Sequence, residues 1–391
     1  MPFKERSIVS HREEFCRLAT ASGANVRELC RRFGIGAATA YLWLGRYGAQ
    51  GPAGLESRSR RPRTSPERTP PEMEARVVAV RLEHPAWGGR KIRRVLEEDG
   101  FAPPSASTIT EILRRHERLD GPGSGEPRAF QRFEHPHPNE LWQMDFKGHF
   151  AMAQGRCHPL TVLDDHSRYA LEIGACANEQ GVTVQSRLTP VFERYGLPWR
   201  ILADNGAPWG TAGAERHTPL TVWLLDLGVG VVHGRPYHPQ TQGKDERFHR
   251  TLKAEVLDGR LFADLHHAQA AFDAWRDIYN GRRPHEALGM DVPATRYRMS
   301  RRSMPKAIEP PDYGADAFVR KVHTGGSISF KGRLISCPKA FVGRRLAIRP
   351  TLADGVFDLC YRSHVLSQID LRQEPKTVQD VPEHPFTLSP V

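Results

Sequence analysis

Residues 141–148 read LWQMDFKG and residues 199–206 read WRILADNG. Each is a short apolar run that closes on an aspartate, Asp145 in the first and Asp204 in the second, with a glycine soon after. Short apolar runs bounded by turn residues are strand signals. Cys157 to Leu163 (CHPLTVL) and Tyr169 to Gly174 predict two more strands, with a hairpin break at AQGR. A helix is predicted from Val182 to Tyr195, another from Ala214 to Leu227, and GVGVVH is a further strand. After the loop RPYHPQTQGK a long helix is expected over Asp245 to Leu257. Three strands followed by alternating helix and strand imply a mixed sheet flanked by helices.

Ligand sites in such sheets form at the ends of strands. Asp145 and Asp204 each end one, and Glu246 opens the last helix. Carboxylate oxygens are the hard donors that Mg²⁺ or Mn²⁺ selects. Two such ions about 3.5–4 Å apart activate an attacking oxygen and stabilise a leaving one in phosphoryl transfer. Taken singly, each carboxylate reads as readily as a surface or capping group, and Asp204 before Asn-Gly also fits a plain turn.

Composition widens the argument. The 391 residues exceed one ordinary domain. Lys and Arg number 56 against 45 Asp and Glu, a net charge of +11. That excess points to a polyanionic partner, most often nucleic acid. Only ten of the cations are lysine. Arginine forks suit phosphate oxygens, though a GC-rich genome would give the same bias. Hydrophobic residues make up 39%, which excludes a wholly disordered chain. No apolar run is long enough to span a membrane, and the opening MPFKERSIVSHREEF predicts no secretory signal. The expected location is the cytoplasm. Six cysteines without paired spacing read as buried thiols rather than a disulfide frame, and His11, Cys16 and Cys30 do not make a zinc site.

Two linkers stand out by composition, Arg58 to Pro71 (RSRRPRTSPERTPP) and Asp120 to Pro127 (DGPGSGEP). Before the first, Asn25 is placed to cap a helix bearing Val26, Leu29, Cys30 and Phe33 on one face. Gly34 ends it, and Ala40, Trp43, Leu44 and Tyr47 mark a second short helix. Two helices about a glycine turn form a helix-turn-helix pattern, which also suits a plain helical hairpin. Read as a DNA binder, it offers Thr39, Tyr41 and Arg46 to a groove, and Arg58, Arg60, Arg61 and Arg63 to phosphates. Between the linkers, Met73 to Leu82 and a segment starting at Ser107 predict helices of a second, winged-helix-like module. There Lys91, Arg93, Arg94, Arg114 and Arg115 are placed for a backbone or for a solvated face.

WQMDFKG, LADNGAPW and above all RPYHPQTQGKDERFHRTLKAE (235–255) resemble the integrase-core DDE transposases of bacterial insertion sequences, relatives of retroviral integrases. The resemblance runs over nearly the whole chain. It implies an RNase H-like core and a metal-binding catalytic triad of Asp145, Asp204 and Glu246, with two Mg²⁺ or Mn²⁺ ions. Asp245 is the neighbouring confounder, and the GKxER pattern selects Glu246. The interval from Asp204 to Glu246 is 42 positions, longer than is usual in the family, with the excess in GTAGAERHTP. An insertion there lengthens a loop before the helix.

On that last helix Glu246, His249, Arg250 and Lys253 fall on one polar face, and Phe248, Leu252 and Val256 form a buried stripe. Lys244, Arg250 and Lys253 are placed to hold phosphates of terminal nucleotides, and His238 and Gln240 to meet DNA from the preceding loop. Asp164 and Asp165, in DDHSR, read as turn residues; His166 and His233 read as structural. Phe318 to Leu371 carries short alternating strands and resembles the SH3-like barrel of the family's tail. From Phe318 to Arg349 there are eight basic and no acidic residues, so Lys321, Lys331, Arg333, Arg344 and Arg345 are expected DNA contacts.

The expected domains are a helix-turn-helix at 1–56, an Arg/Pro-rich linker at 57–71, the second helical module at 72–119 and a linker at 120–138. The catalytic core follows at 139–285, then a linker at 286–315, the small barrel at 316–372 and a tail at 373–391. The expected activity is metal-dependent cutting at the terminal inverted repeats of an insertion sequence and strand transfer into target DNA. The partners are duplex DNA and other copies of the chain, in a dimer or tetramer; a helper ATPase is left open. Two rival readings are an inactive sequence-specific DNA binder and a nuclease of the same fold that cuts without joining.

Overall fold

The computed structural model describes residues 8–57, 68–119, 134–210, 217–233 and 243–373. They belong to two compact units, Met1–Arg68 and Thr69–Val391.

The first unit has three helices: α1 (Ile8–Ala19), α2 (Val26–Phe33) and α3 (Ala37–Gln50). Asn25 caps α2 as expected, its side chain accepting from the Glu28 N–H, and Gly34 ends it with φ 63°. That left-handed conformation is why a glycine sits there. Phe15, Cys16, Cys30, Ala40 and Leu55 make the core.

The second unit opens with α4 (Pro71–Glu83), α5 (Gly89–Glu98) and α6 (Ala106–Arg115). Ser105, not Ser107, caps α6, accepting from the Thr108 N–H. Residues 69–119 hold no wing strand among the described residues. Val77, Trp87, Ile92, Leu96, Ile109 and Leu113 close this small core, and Ile278 of a later helix packs on it.

The central sheet contains β1 (Leu141–Phe146), β2 (Phe150–Ala151), β3 (Arg156–Asp164), β4 (Ala170–Cys176), β5 (Arg200–Ala203) and β6 (Gly230–His233). Along it the strands run β4-β3-β1-β5-β6, and β2 pairs only with the start of β3. β3 is antiparallel to β1 and β4, whereas β1, β5 and β6 are parallel. This is the mixed α/β sheet expected. Side chains alternate across it. Leu160, Val162 and Trp142 face α7 (Gly181–Tyr195) and α8 (Pro219–Asp226). Cys157, Leu163, Ile173 and Ala175 face α9 (Gly243–Leu252) and α10 (Leu265–Gly281).

The expected long helix over Asp245–Leu257 is α9 followed by a π turn at Lys253–Leu257. Phe248, Leu252 and Val256 are buried as the stripe predicts. Burying each such side chain contributes about 1.5–3 kcal/mol. α8 is shorter than expected and starts at a capping box on Thr218. It is apolar nearly all round, because Leu220 and Leu224 serve the central core while Val222 and Leu225 serve the C-terminal one.

A short α11 (Pro293–Arg296) precedes β7 (Phe318–Lys321), β8 (Ser327–Phe330), β9 (Arg333–Ser336), β10 (Arg345–Pro350), β11 (Val356–Tyr361) and β12 (His364–Asp370). The expected closed SH3-like barrel does not form among the described residues. β12-β11-β10-β7 make one antiparallel sheet and β8-β9 a separate hairpin. Ile328, Phe330 and Ile335 of the hairpin pack on Leu346, Ile348, Phe357 and Leu359 of the sheet, so the two pieces share a core without a continuous ladder. All six cysteines are free and buried, as the spacing predicts. No described helix is long and apolar enough to cross a membrane.

Candidate active site

Asp145 lies near the end of β1, opposite Thr161 in the antiparallel ladder with β3. Pleating turns Trp142 and Met144 toward α7, so Asp145 takes the face that carries α9. Asp204 follows β5 directly. Its Oδ1 accepts from the Gly206 N–H at 3.1 Å, and its carbonyl accepts from His233 Nδ1 at 2.8 Å. The histidine read as structural therefore anchors the backbone of Asp204. A Cβ at Gly206 would stand 3.1 Å from Asp204 Oδ2, which favours glycine in the DNG turn.

The carboxylates share one electrostatic field. Burial pushes Asp145 up to about 7, and the negative charge of Asp204 adds to it, with Glu179 and Glu246 contributing further. Burial also raises Asp204, with Glu179 again adding. Such shifts mark carboxylates that are partly buried and close to like charge. Asp245 and Glu246 divide the two sides of α9. Asp245 is 2% exposed, and its Oδ1 has no hydrogen-bond partner among the described residues. Burial, then Asp145 and Asp165, hold it well above the usual range. Glu246 is exposed.

Glu179 was missed in the sequence. It follows β4 by three residues and its Oε1 lies 2.9 Å from His158 Nδ1. The available signal was an acid just beyond a strand that neighbours β3 across the sheet. Among the described residues no three His, Cys, Asp or Glu side chains stand at metal-holding distance. The donor set is nonetheless all hard oxygen, and burial and like charge together raise Asp145.

His249 was expected on the polar face with Glu246. It turns inward instead: its ring reaches Thr161 Oγ1 at 2.8 Å and lies 4.0 Å from Asp145 Oδ2. Burial keeps it neutral, down to about 4, with Lys147 helping. Lys244, expected on a phosphate, donates to Asp165. Asp165 also accepts from the His135 N–H and Gln143 Nε2, and Asp164 from Asn139 and Ser167, so both aspartates are structural turn residues. Arg250 and Lys253 are exposed beyond Glu246, and burial lowers Lys147, with the charge of Lys253 adding to it.

Other expected DNA contacts divide similarly. Thr39 and Tyr41 are exposed on α3, and Arg46 lies 4.9 Å over the Trp43 ring. Lys91 is half-buried beside Arg283, Glu255 and Glu286, and burial lowers it to about 8, so it faces the core rather than open solvent. Arg93 and Arg94 pair with Glu97 and Glu98, and Arg115 with buried Glu74. Lys321 and Arg345 are exposed. Lys331 Nζ stands 4.6 Å over Phe357, Arg333 donates to the Gln373 carbonyl at 2.7 Å, and Arg344 pairs with Asp226 at 3.2 Å. Arg58, Arg60, Arg61, Arg63, His238 and Gln240 lie outside the described residues.

Known families match most of the chain in pieces. An integrase core domain matches residues 135–239 and another integrase core domain residues 227–293. The C-terminal domain of IS481 family transposases matches residues 317–377. A helix-turn-helix domain matches residues 11–63 and a homeodomain-like domain residues 39–113. A 31.7 kDa protein of insertion element IS407 from Burkholderia multivorans is 26% identical over 205 residues, which is 52% of this chain and 67% of that protein. A 39.2 kDa protein of insertion element IS476 from Xanthomonas euvesicatoria is 27% identical over 215 residues, 55% of this chain and 57% of that protein. The chain thus spans between half and two thirds of these relatives. The catalytic core domain of BIV integrase aligns at TM-score 0.31 and 24% identity, over 40% of this chain and 92% of that one.

Proposed function

We propose, for a chain whose domains are those of an integrase-core transposase of insertion sequences, that it binds the terminal inverted repeats of its element, cuts there and joins the freed end to target DNA. The observation that carries this reading is the placement of Asp145, half-buried near the end of β1, with Asp204 directly after the adjacent parallel strand and with the charges of Asp204, Glu179 and Glu246 acting on it. Sites that gather negative charge in this way suit a divalent cation. The resemblance to integrase-core transposases implies the same divalent ions. In this chain Asp145, Asp204 and Glu246 would hold them. Bound there, the ions would lower the charge on the scissile phosphate and activate the attacking oxygen.

The residues divide the remaining work. Asp145 and Asp204 arrive from adjacent parallel strands, so the sheet fixes their spacing. Glu246 comes from a helix and supplies the adjustable third carboxylate. Lys253 and Arg250, exposed beyond Glu246, would hold the non-reacting phosphates of the end. In the first step water attacks the phosphorus at the element end. The P–O3′ bond breaks, the water oxygen stays on the 5′-phosphate and a proton passes to the leaving 3′ oxygen. In the second step the new 3′-OH attacks a target phosphodiester in line. One P–O bond forms, one breaks, and the target strand is left with its own 3′-OH. No covalent protein intermediate and no nucleotide hydrolysis enters either step. Two ends must be held together, so the working form is an oligomer of this chain.

The test uses the full chain, Mn²⁺ and a labelled duplex carrying the inverted repeat that flanks the coding region. Nicked ends and joined products are expected, and Asp204→Asn should abolish both with end binding nearly unchanged. Binding without cutting would favour an inactive DNA binder. Cutting without joining would favour a nuclease. Activity that survives Asp204→Asn would remove Asp204 from the mechanism.

A further inference from the structure

Glu246 makes no hydrogen bond or ion pair among the described residues, so its place depends on how its helix is held. Two polar attachments bracket it on α9. Two residues earlier, Lys244 donates to the Asp165 carboxylate and to the Asp165 carbonyl, the latter at 3.2 Å. Three residues later, His249 Nε2 lies 2.8 Å from Thr161 Oγ1 on β3. Thr161 is fully buried, and its Oγ1 also lies 3.1 Å from the Asp145 carbonyl. The other ring nitrogen, Nδ1, stands 4.0 Å from Asp145 Oδ2. One hydroxyl and one imidazole therefore join the helix that bears Glu246 to the strand that bears Asp145.

Hydrogen-bond arithmetic sharpens the point. A hydroxyl has one proton, and a neutral imidazole has one N–H. Thr161 gives its proton either to the Asp145 carbonyl or to His249 Nε2. The first choice leaves the imidazole proton on Nε2 and a bare Nδ1 toward Asp145. The second puts an N–H on Nδ1, aimed at the carboxylate. Both keep the link between Thr161 and His249, and at 4.0 Å neither adds a hydrogen bond to the Asp145 carboxylate. Phe248 and Leu252 already seal α9 to the sheet, so the polar link is not needed to fold the helix. What it adds is rotation and register, because positions three apart share a helix face.

We propose that Thr161 and His249 are positioning residues, which set α9 on the β1–β3 ladder so that Glu246 and Asp145 meet over one divalent ion. This rests on the metal reading above. Outer partners of metal ligands change metal affinity by about 10–100-fold when removed.

The experiment measures Mn²⁺ binding by the full chain without DNA, from the electron paramagnetic resonance signal of the free ion, with the melting temperature of each variant as the folding control. Thr161→Val and His249→Leu should each weaken Mn²⁺ about tenfold or more. The double variant should be no worse than the weaker single one, because the two act as one link. His249→Gln should regain most of the affinity. Unchanged affinity in both single variants, or additive losses in the double, overturns the proposal. If His249→Leu does not fold, Thr161→Val against Thr161→Ser makes the same comparison. Binding that responds to Asp145→Asn but not to Thr161→Val or His249→Leu removes this inference alone. A wild type that takes up no Mn²⁺, or whose binding ignores Asp145→Asn, removes the metal reading and this inference with it.

Discussion

Asn280 grips Ala170 by both of that residue's backbone groups. Its Oδ1 accepts from the Ala170 N–H at 2.8 Å and its Nδ2 donates to the Ala170 carbonyl at 2.9 Å. Ala170 begins β4, the outer strand of the central sheet, and Asn280 lies near the end of α10. Earlier on the same helix, Gln269 likewise accepts from the Ala175 N–H and donates to the Ile173 carbonyl. Two side-chain amides thus stand where a further strand would pair, and they close an edge that would otherwise be open to aggregation.

Removing that grip leaves two buried backbone groups unpaired. Asn280→Ala should therefore lower stability by about 1–3 kcal/mol. Urea unfolding would measure it, and a loss below about 0.5 kcal/mol would mean that the amide is not satisfying those groups.

Gly89 opens α5 against α6. A Cβ there would come within 2.4 Å of the Ala106 carbonyl oxygen and 2.8 Å of Thr110 Oγ1. Backbone cannot move aside cheaply, so Gly89→Ala should cost about 1–3 kcal/mol by overpacking. Gly88→Ala, with nothing within 4 Å, should be nearly neutral. Equal melting temperatures for the two variants would contradict the close approach.

Asp145 titrates near 7 in the fold against an ordinary value of 3.8. A raised acid takes up protons on folding, so the metal-free protein loses stability as pH rises from about 4 to about 7, and the loss levels off above that. Asp145→Asn removes this slope. Melting curves in chelator from pH 5 to 8 should converge toward the acid end and separate toward pH 7, with the variant the more stable. Parallel curves would show that Asp145 is not held protonated. Added Mn²⁺, which binds the ionised form, should raise the wild-type melting temperature more at pH 7.5 than at pH 5.5.

Asp226 at the end of α8 is 3% exposed in its side chain and holds the Tyr361 hydroxyl, Arg362 Nε at 3.1 Å and Arg344 at 3.2 Å. Asp226→Ala strands buried partners and should cost about 3–5 kcal/mol. Arg344→Ala removes a half-exposed cation and should cost less than about 1 kcal/mol. Chemical denaturation of both variants tests the contrast, and an equal cost would argue against it.

Short-range features were legible in the chain. The cap at Asn25, the glycine at 34, the strands ending on Asp145 and Asp204 and the stripe of Phe248, Leu252 and Val256 all follow from local periodicity and turn chemistry. What sequence could not show was which charges find each other across the fold. Lys244, Lys91 and Arg344 read as free cations, yet each faces a partner far away in the chain. His249 sits at the border of the helical stripe, where a spacing argument does not decide between inside and outside. Glu179 lies in a loop with no periodicity at all. The barrel expectation failed for a related reason: strand spacing gives the number of strands, while closure depends on pairing between β7 and β8 that four-residue strands do not complete.

α8 has one flank in the core of the central sheet and the other in the core of the C-terminal sheet, with Asp226 clamped between. Such a shared wall forbids swivelling. Any polyanion gripped by Lys321 or Arg345 would be held at a set offset from Asp204, so the protein would act as a gauge, counting phosphates from its grip to the proposed site.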